Sequence, residues 1–167
     1  SGKPIQYVVA GEVCAGEGDA KVKLASAVET FNTDLLTMQF SAGSECFKCP
    51  VTAEEAAKKA GAVVKYRAAG VDFDSKEKAM QALEAAKKAA GEVKLAAFVG
   101  DKEFSCCVEA GQVAKETGKE VTYVVGDQKT CCEITGKLNF AQAKAKAIVS
   151  AAAELALATS AQATKGA

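Results

Sequence analysis

The sequence predicts an α+β fold of two related units, on three observations. Short β-branched or aromatic runs are separated by Lys/Ala/Glu-rich stretches of helical period. Matching landmarks recur about 58 residues apart: Phe40 with Phe98, Cys49 with Cys107, and one residue closer Tyr66 with Tyr123 and Gly61 with Gly118. From 36 to 99 the elements run strand, helix, strand, strand, helix, strand, the split βαβ order.

The strands are expected near 5–10, 35–40, 63–69, 93–99 and 121–125, with a further hairpin at "AAGVDFD" turning on Gly70. "AGEVCAGEGDAKVK", residues 10–23, lacks the order of a phosphate-binding loop and is expected to be a flexible one. Thr52 and Glu55 are spaced as a capping box, so a helix is expected from there to Gly61, with Gly91 and Gly118 ending two more. Ala79, Met80, Leu83, Ala86 and Ala90 mark the buried face of the helix over 75–90. Phe140, Ile148, Ala151, Ala152 and Leu155 do so for the last helix, capped at Asn139. The expected domains are an N-terminal strand and helix over 1–34, a first unit over 35–92, a second over 93–159, and a disordered tail over 160–167. If the short strand at 71–74 is set aside, the same text reads as an α/β fold with a five-stranded parallel sheet.

Composition removes several functions. With no histidine among 167 residues, Ser-His-Asp and Cys-His catalysis and histidine metal ligation are excluded. Basic and acidic residues balance at 21 each and Arg67 is the single arginine, so nucleic acid is not an expected partner. No apolar run reaches the ~18 residues a membrane span needs. The opening Ser1-Gly2-Lys3 holds no signal core, and an export signal is expected to be missing from the sequence as given. Seven cysteines point to metal binding, redox work or an oxidising, periplasmic or secreted setting. Tyr7, Tyr66 and Tyr123 are expected to pack in strands, and Asp101 and Glu103 to be solvated.

The cysteines admit three readings. "CFKC", Cys46 to Cys49, precedes a helix, where unpaired N–H groups and the helix dipole favour thiolate, and two thiolates can hold a soft ion such as Cu(I), Hg(II) or Zn(II). A structural zinc wants four ligands, which makes Cys106, Cys107, Cys131 and Cys132 candidate additions. Disulfides are the second reading, in a stapled binding module without catalysis: vicinal bridges are strained, so crossed pairing of 106/107 with 131/132 is expected, with Cys46 bonded to Cys49 and Cys14 left over. A thiol-disulfide oxidoreductase is the third, weakened because the only prolines are Pro4 and Pro50 and no later cis-proline can face the CxxC.

Residues 36–99 resemble the heavy-metal-associated domain of metallochaperones and mercury-binding periplasmic proteins. "GSECFKC", Gly43 to Cys49, stands where that family carries Gly-Met-x-Cys-x-x-Cys, and "PVTAEEAAKK" where it has its first helix. Ser44 replaces the family's methionine, and the second copy carries "EFSCC", Glu103 to Cys107, in place of CxxC. The resemblance implies a ferredoxin-like fold over 36–99 and a soft metal held by Cys46 and Cys49, for handling or transfer to a partner protein; with the repeat it makes the chain two tandem ferredoxin-like units, more in keeping with a binding protein than an enzyme.

Overall fold

The computed structural model describes residues 5–163, and the expectations for Ser1-Gly2-Lys3 and for 164–167 lie outside them. Among the described residues the fold is α+β: five helices and three small antiparallel sheets. Hairpin and helix alternate throughout: β1 (Tyr7–Val9), β2 (Glu12–Cys14), α1 (Glu17–Leu35); β3 (Gln39–Ala42), β4 (Glu45–Phe47), α2 (Pro50–Ala60); β5 (Val64–Ala68), β6 (Val71–Phe73), α3 (Lys76–Glu92); β7 (Ala96–Val99), β8 (Lys102–Phe104), α4 (Cys107–Thr117); β9 (Val121–Val125), β10 (Gln128–Thr130), α5 (Glu133–Ala163).

Two-residue turns explain the hairpins. Ala10-Gly11 and Ala69-Gly70 have both central residues at positive φ, as a type I′ turn requires, whereas Gly43, Gly100 and Gly126 supply positive φ at the first central position only, as in type II′. Both types match strand twist and force antiparallel neighbours, so a five-stranded parallel sheet does not form. The glycines of 10–23 accordingly make a hairpin turn and lead into α1, where a flexible loop was expected.

The chain divides into two compact units. One comprises Asn32–Glu92 with Ala145–Ala167, and its sheet has the order β4-β3-β5-β6. Phe47, Phe40, Tyr66 and Phe73 form one row across the four strands, with the Phe40 and Tyr66 ring centroids 5.9 Å apart. Ala79, Ala82, Leu83, Ala86 and Ala90 of α3 close over Ala68 and Phe73, joined by Ile148 and Ala152 of α5. Met80, expected in that face, is 48% exposed and Ala82 takes its place. The opposite sheet face is polar, with Arg67 bonded to Asp72 at 3.3 Å.

The other unit comprises Ser1–Phe31 with Val93–Lys144, and holds the β1-β2 pair and a sheet of order β10-β9-β7-β8. Phe104, Ala97, Tyr123 and Thr130 form its row, and Ala110 and Ala114 of α4 pack there. Structural equivalents lie 57 residues apart: Gly43 with Gly100 in the turns, Phe47 with Phe104, and Tyr66 with Tyr123. The 58-residue match of Phe40 with Phe98 is one step out of register, which puts the two rings on opposite sheet faces. The strand at 93–99, expected to complete a βαββαβ over 36–99, pairs in this second sheet, and β4 occupies the edge beside β3.

Several boundaries differ from expectation. α1 runs to Leu35, so the strand expected over 35–40 starts at Gln39. Gly61 and Gly118 are left-handed C-caps as expected, but α3 continues past Gly91 to Glu92. α5 begins at Glu133, leaving Asn139 in its interior, and includes 160–163, where a disordered tail was expected. No described helix is long and apolar enough to cross a membrane.

Two helix glycines make opposite predictions. A Cβ at Gly136 would stand 2.8 Å from the Tyr123 Cβ, whereas one at Gly111 meets nothing within 4 Å. Gly136→Ala is therefore expected to lose about 1–3 kcal/mol through overpacking, and Gly111→Ala to gain about 0.5–1 kcal/mol from helix propensity. Urea denaturation of the two variants beside the parent checks both signs.

Candidate functional site: cysteines at helix N-termini

The module architecture gives each helix the same entry, a short strand, a bend, then the N-cap. That position is Gly16, Cys49, Ser75, Cys106 and Cys132 in successive modules. Ser75 does what an N-cap serine does, its hydroxyl accepting the Lys78 N–H at 3.3 Å. Three modules place a thiol there instead. Cys49 and Cys106 share nearly one backbone conformation, φ −113° and ψ 129° against φ −113° and ψ 117°, so neither needs a local adjustment to cap its helix.

At α2, Pro50 occupies the first turn, where its missing N–H costs nothing. Thr52 donates its hydroxyl to the Cys49 carbonyl at 2.9 Å. The expected capping box at Thr52 and Glu55 is not the helix start, since the helix begins with Pro50. The Cys49 thiol closes no side-chain cap bond of ordinary geometry. The backbone N–H of Thr52, then that of Val51, nevertheless faces the sulfur and lowers its pKa below that of an ordinary thiol, opposed by desolvation and the Glu55 carboxylate. An anion gains more than a neutral thiol from these donors and from the helix dipole, so the thiolate is more accessible here than at an ordinary cysteine.

Cys132 has the same character from different partners. The Thr135 hydroxyl leads, followed by the N–H groups of Thr135 and Ile134, and the Lys21 ammonium adds to the lowering. Its own N–H is held by the Thr130 hydroxyl at 3.2 Å. Cys106 and Cys131 are exposed, Cys107 is half-buried against the core of its unit, and Cys14 is buried with its thiol 3.7 Å from the Glu12 carbonyl. All seven cysteines are free thiols.

Cys46 and Cys49 are both exposed, but the fold does not present them as one loop. Cys46 lies within β4 opposite Ser41, so it projects from the sheet face away from the Phe47–Phe40–Tyr66 row, whereas Cys49 caps the helix that follows. Among the described residues no three His, Cys, Asp or Glu side chains converge, so a four-ligand cage is not preassembled. Cys106/Cys107 and Cys131/Cys132 follow β8 and β10, the opposite edge strands of one sheet, in which Phe104 and Thr130 of the same row stand about 14 Å apart at ~4.8 Å per strand. The crossed disulfides expected between these pairs are not formed, and the four thiols are free.

A surface groove of about 550 Å³ beside α2 is lined by Ala42, Gly43, Ser44, Glu45, Thr52 and Glu55 among others, and by no cysteine. Cys46, Cys49, Cys106, Cys131 and Cys132 stand at the surface, where an ion or another protein reaches them, and outside that groove. The sequence pointed to Cys46 and Cys49 as a pair through their spacing, but missed the recurring N-cap position, which carries no spacing signature until the hairpins are known. Comparisons with family models, curated proteins and solved structures give no match to the chain.

Because folding lowers the Cys49 pKa, its contribution to stability is present above the thiol's unfolded-state pKa and is lost as pH falls through the lower folded-state value. Iodoacetamide labelling followed by peptide mass mapping is expected to show a pH–rate inflection for Cys49 below that of an ordinary thiol. Denaturing the protein first should move that inflection upward.

Proposed function

We propose that the protein binds and hands on a soft metal ion through exposed thiolates, with Cys49 as the first ligand. The observation that carries this reading is the exposed, thiolate-favouring Cys49 at the N-terminus of α2, in a chain without histidine. Cu(I) and Hg(II) fit best, since soft ions prefer sulfur and need no four-ligand cage. Cys46 is the second ligand. It sits on a three-residue edge strand, and displacing so short a strand forfeits only a few ladder bonds, so metal binding draws it across the sheet edge. Cys106, Cys107, Cys131 and Cys132 form separate thiol positions of lesser affinity, and zinc, which wants four ligands, is the weaker choice.

The resemblance to heavy-metal-associated domains supports this reading through the placement of "GSECFKC" before a helix. Four antiparallel strands under helices is also the layering of ferredoxin-like units, and we read the two sheets as copies of one ancestral pair of modules. The hairpin-first connection differs from the family's βαββαβ, so likeness of the cysteine site need not extend to the family's loop geometry. A periplasmic or secreted setting and a partner protein that receives the metal belong to the same proposal, as does the absence of catalysis.

Free thiols also suit thiol-disulfide exchange, and Cys49 favours that second reading as the more nucleophilic form. Titration with Cu(I) against a competing chelator separates them. One tightly held ion per chain, lost in both Cys49→Ser and Cys46→Ser, is the expected result. Equal affinity in Cys46→Ser would overturn the two-thiolate site, and turnover of a disulfide substrate without metal retention would favour exchange.

A further inference from the structure

The two four-stranded sheets are assembled by one rule. In each, two hairpins join through their first strands, β3 to β5 and β7 to β9, antiparallel. Phe40 lies opposite Tyr66 and Ala97 opposite Tyr123, and each of these four residues is the third before its turn at Gly43, Ala69, Gly100 or Gly126. Equivalent positions therefore face each other, which is the condition of a local two-fold axis perpendicular to the sheet.

The first hairpin lacks such a neighbour: among the described residues β1 pairs only with β2. Its turn is Ala10-Gly11, and Tyr7 is its third residue back. Val9 and Glu12 flank the two-residue turn as a hydrogen-bonded pair, so Tyr7 and Cys14 form the next such pair, and the N–H and C=O groups of Val8 and Gln6 point away from β2.

Side chains mark this edge as unlike the others. The strands that end the four-stranded sheets each carry charge: Glu45 in β4, Asp72 in β6, Lys102 and Glu103 in β8, Lys129 in β10. Charge on an edge strand is the usual guard against pairing with another chain. β2 carries Glu12, whereas residues 5–9, Ile-Gln-Tyr-Val-Val, carry none. Ile5 is 79% exposed, Val8 58% and Val13 63%. The strand has the composition of an interior strand and the position of an edge.

We propose that β1 is a homodimer interface, pairing antiparallel with β1 of a second copy to make a four-stranded sheet of the order β2-β1-β1-β2. The register follows from the rule within the chain: Tyr7 faces Tyr7 of the second copy, Val8 faces its Gln6, and Val9 faces its Ile5. A second copy fits because the rule is self-complementary, so one strand supplies both halves of a closed, isologous contact. The uncharged strand brings no like charges together. The interface is independent of the thiol chemistry proposed above and stands if that reading fails.

Sedimentation of the purified chain tests it. The expected mass is twice the 17.1 kDa of one chain, falling to one chain in Val8→Pro. That substitution removes an outward N–H without touching the β1-β2 ladder, and edge strands accept proline in this position; circular dichroism is expected to be unchanged. Oxidative trapping supplies a second test that does not depend on proline. Tyr7 and its counterpart form a non-hydrogen-bonded pair with Cα atoms about 4.5 Å apart, within disulfide reach. In a Cys14→Ser background, which removes the thiol that faces position 7 across the β1-β2 ladder, Tyr7→Cys is expected to give a covalent dimer linked through the introduced thiols by peptide mapping, and Gln6→Cys is not. A chain that stays monomeric at every concentration, a dimer that Val8→Pro leaves intact, or equal trapping at both positions would overturn the proposal.

Discussion

The contact on which the fold depends is the antiparallel pairing of first strands between neighbouring hairpins. A single hairpin is at best marginally stable in water, and its helix needs something broader than two short strands to lie on. Pairing Phe40 with Tyr66, and Ala97 with Tyr123, widens two ribbons of three to five residues into four-stranded sheets with a continuous apolar row. The helices then have a surface to cover. Remove that pairing and each module exposes a row of apolar side chains with no partner.

Alanine sets how the helices cover it. Ala79, Ala82 and Ala86 of α3, Ala53 of α2 and Ala110 of α4 are fully buried, while Ile148 is the largest side chain buried to that degree. Small side chains allow a close approach of helix to strand and give many weak contacts in place of a few large ones. Such a core has little room to yield, which is why Gly136, packed on Tyr123, has no space for a Cβ. The same closeness fixes where each helix begins, and with it the place of the N-cap sulfurs.

The thiols owe their chemistry to that placement. An exposed cysteine in a loop is an ordinary thiol; at an N-cap it meets backbone N–H groups that have no helical partner. Cys49 and Cys132 are shifted the same way by different neighbours, N–H groups first in one case and the Thr135 hydroxyl first in the other. Ser75 occupies the same position with an oxygen and makes a conventional cap, so the modules differ in chemistry without differing in backbone plan.

By itself the sequence determined the α+β class, the first strand of every hairpin but the second, the Gly70 turn, the C-caps at Gly61 and Gly118, and the exclusion of histidine chemistry, because each rests on local preference or on composition. It left unseen β2, β4, β8 and β10, three residues each, too short for an alternating pattern to stand out. Missing those strands set Phe40 against Phe98, one residue out of the register the two sheets show, and hid the N-cap role of the cysteines. Only the tertiary structure decided that Cys46 lies within an edge strand while Cys49 caps the helix after it, and that Cys106/Cys107 and Cys131/Cys132 follow strands on opposite edges of one sheet. Strand register sets both, and register is a relation between segments distant in the chain, which spacing along one segment does not encode.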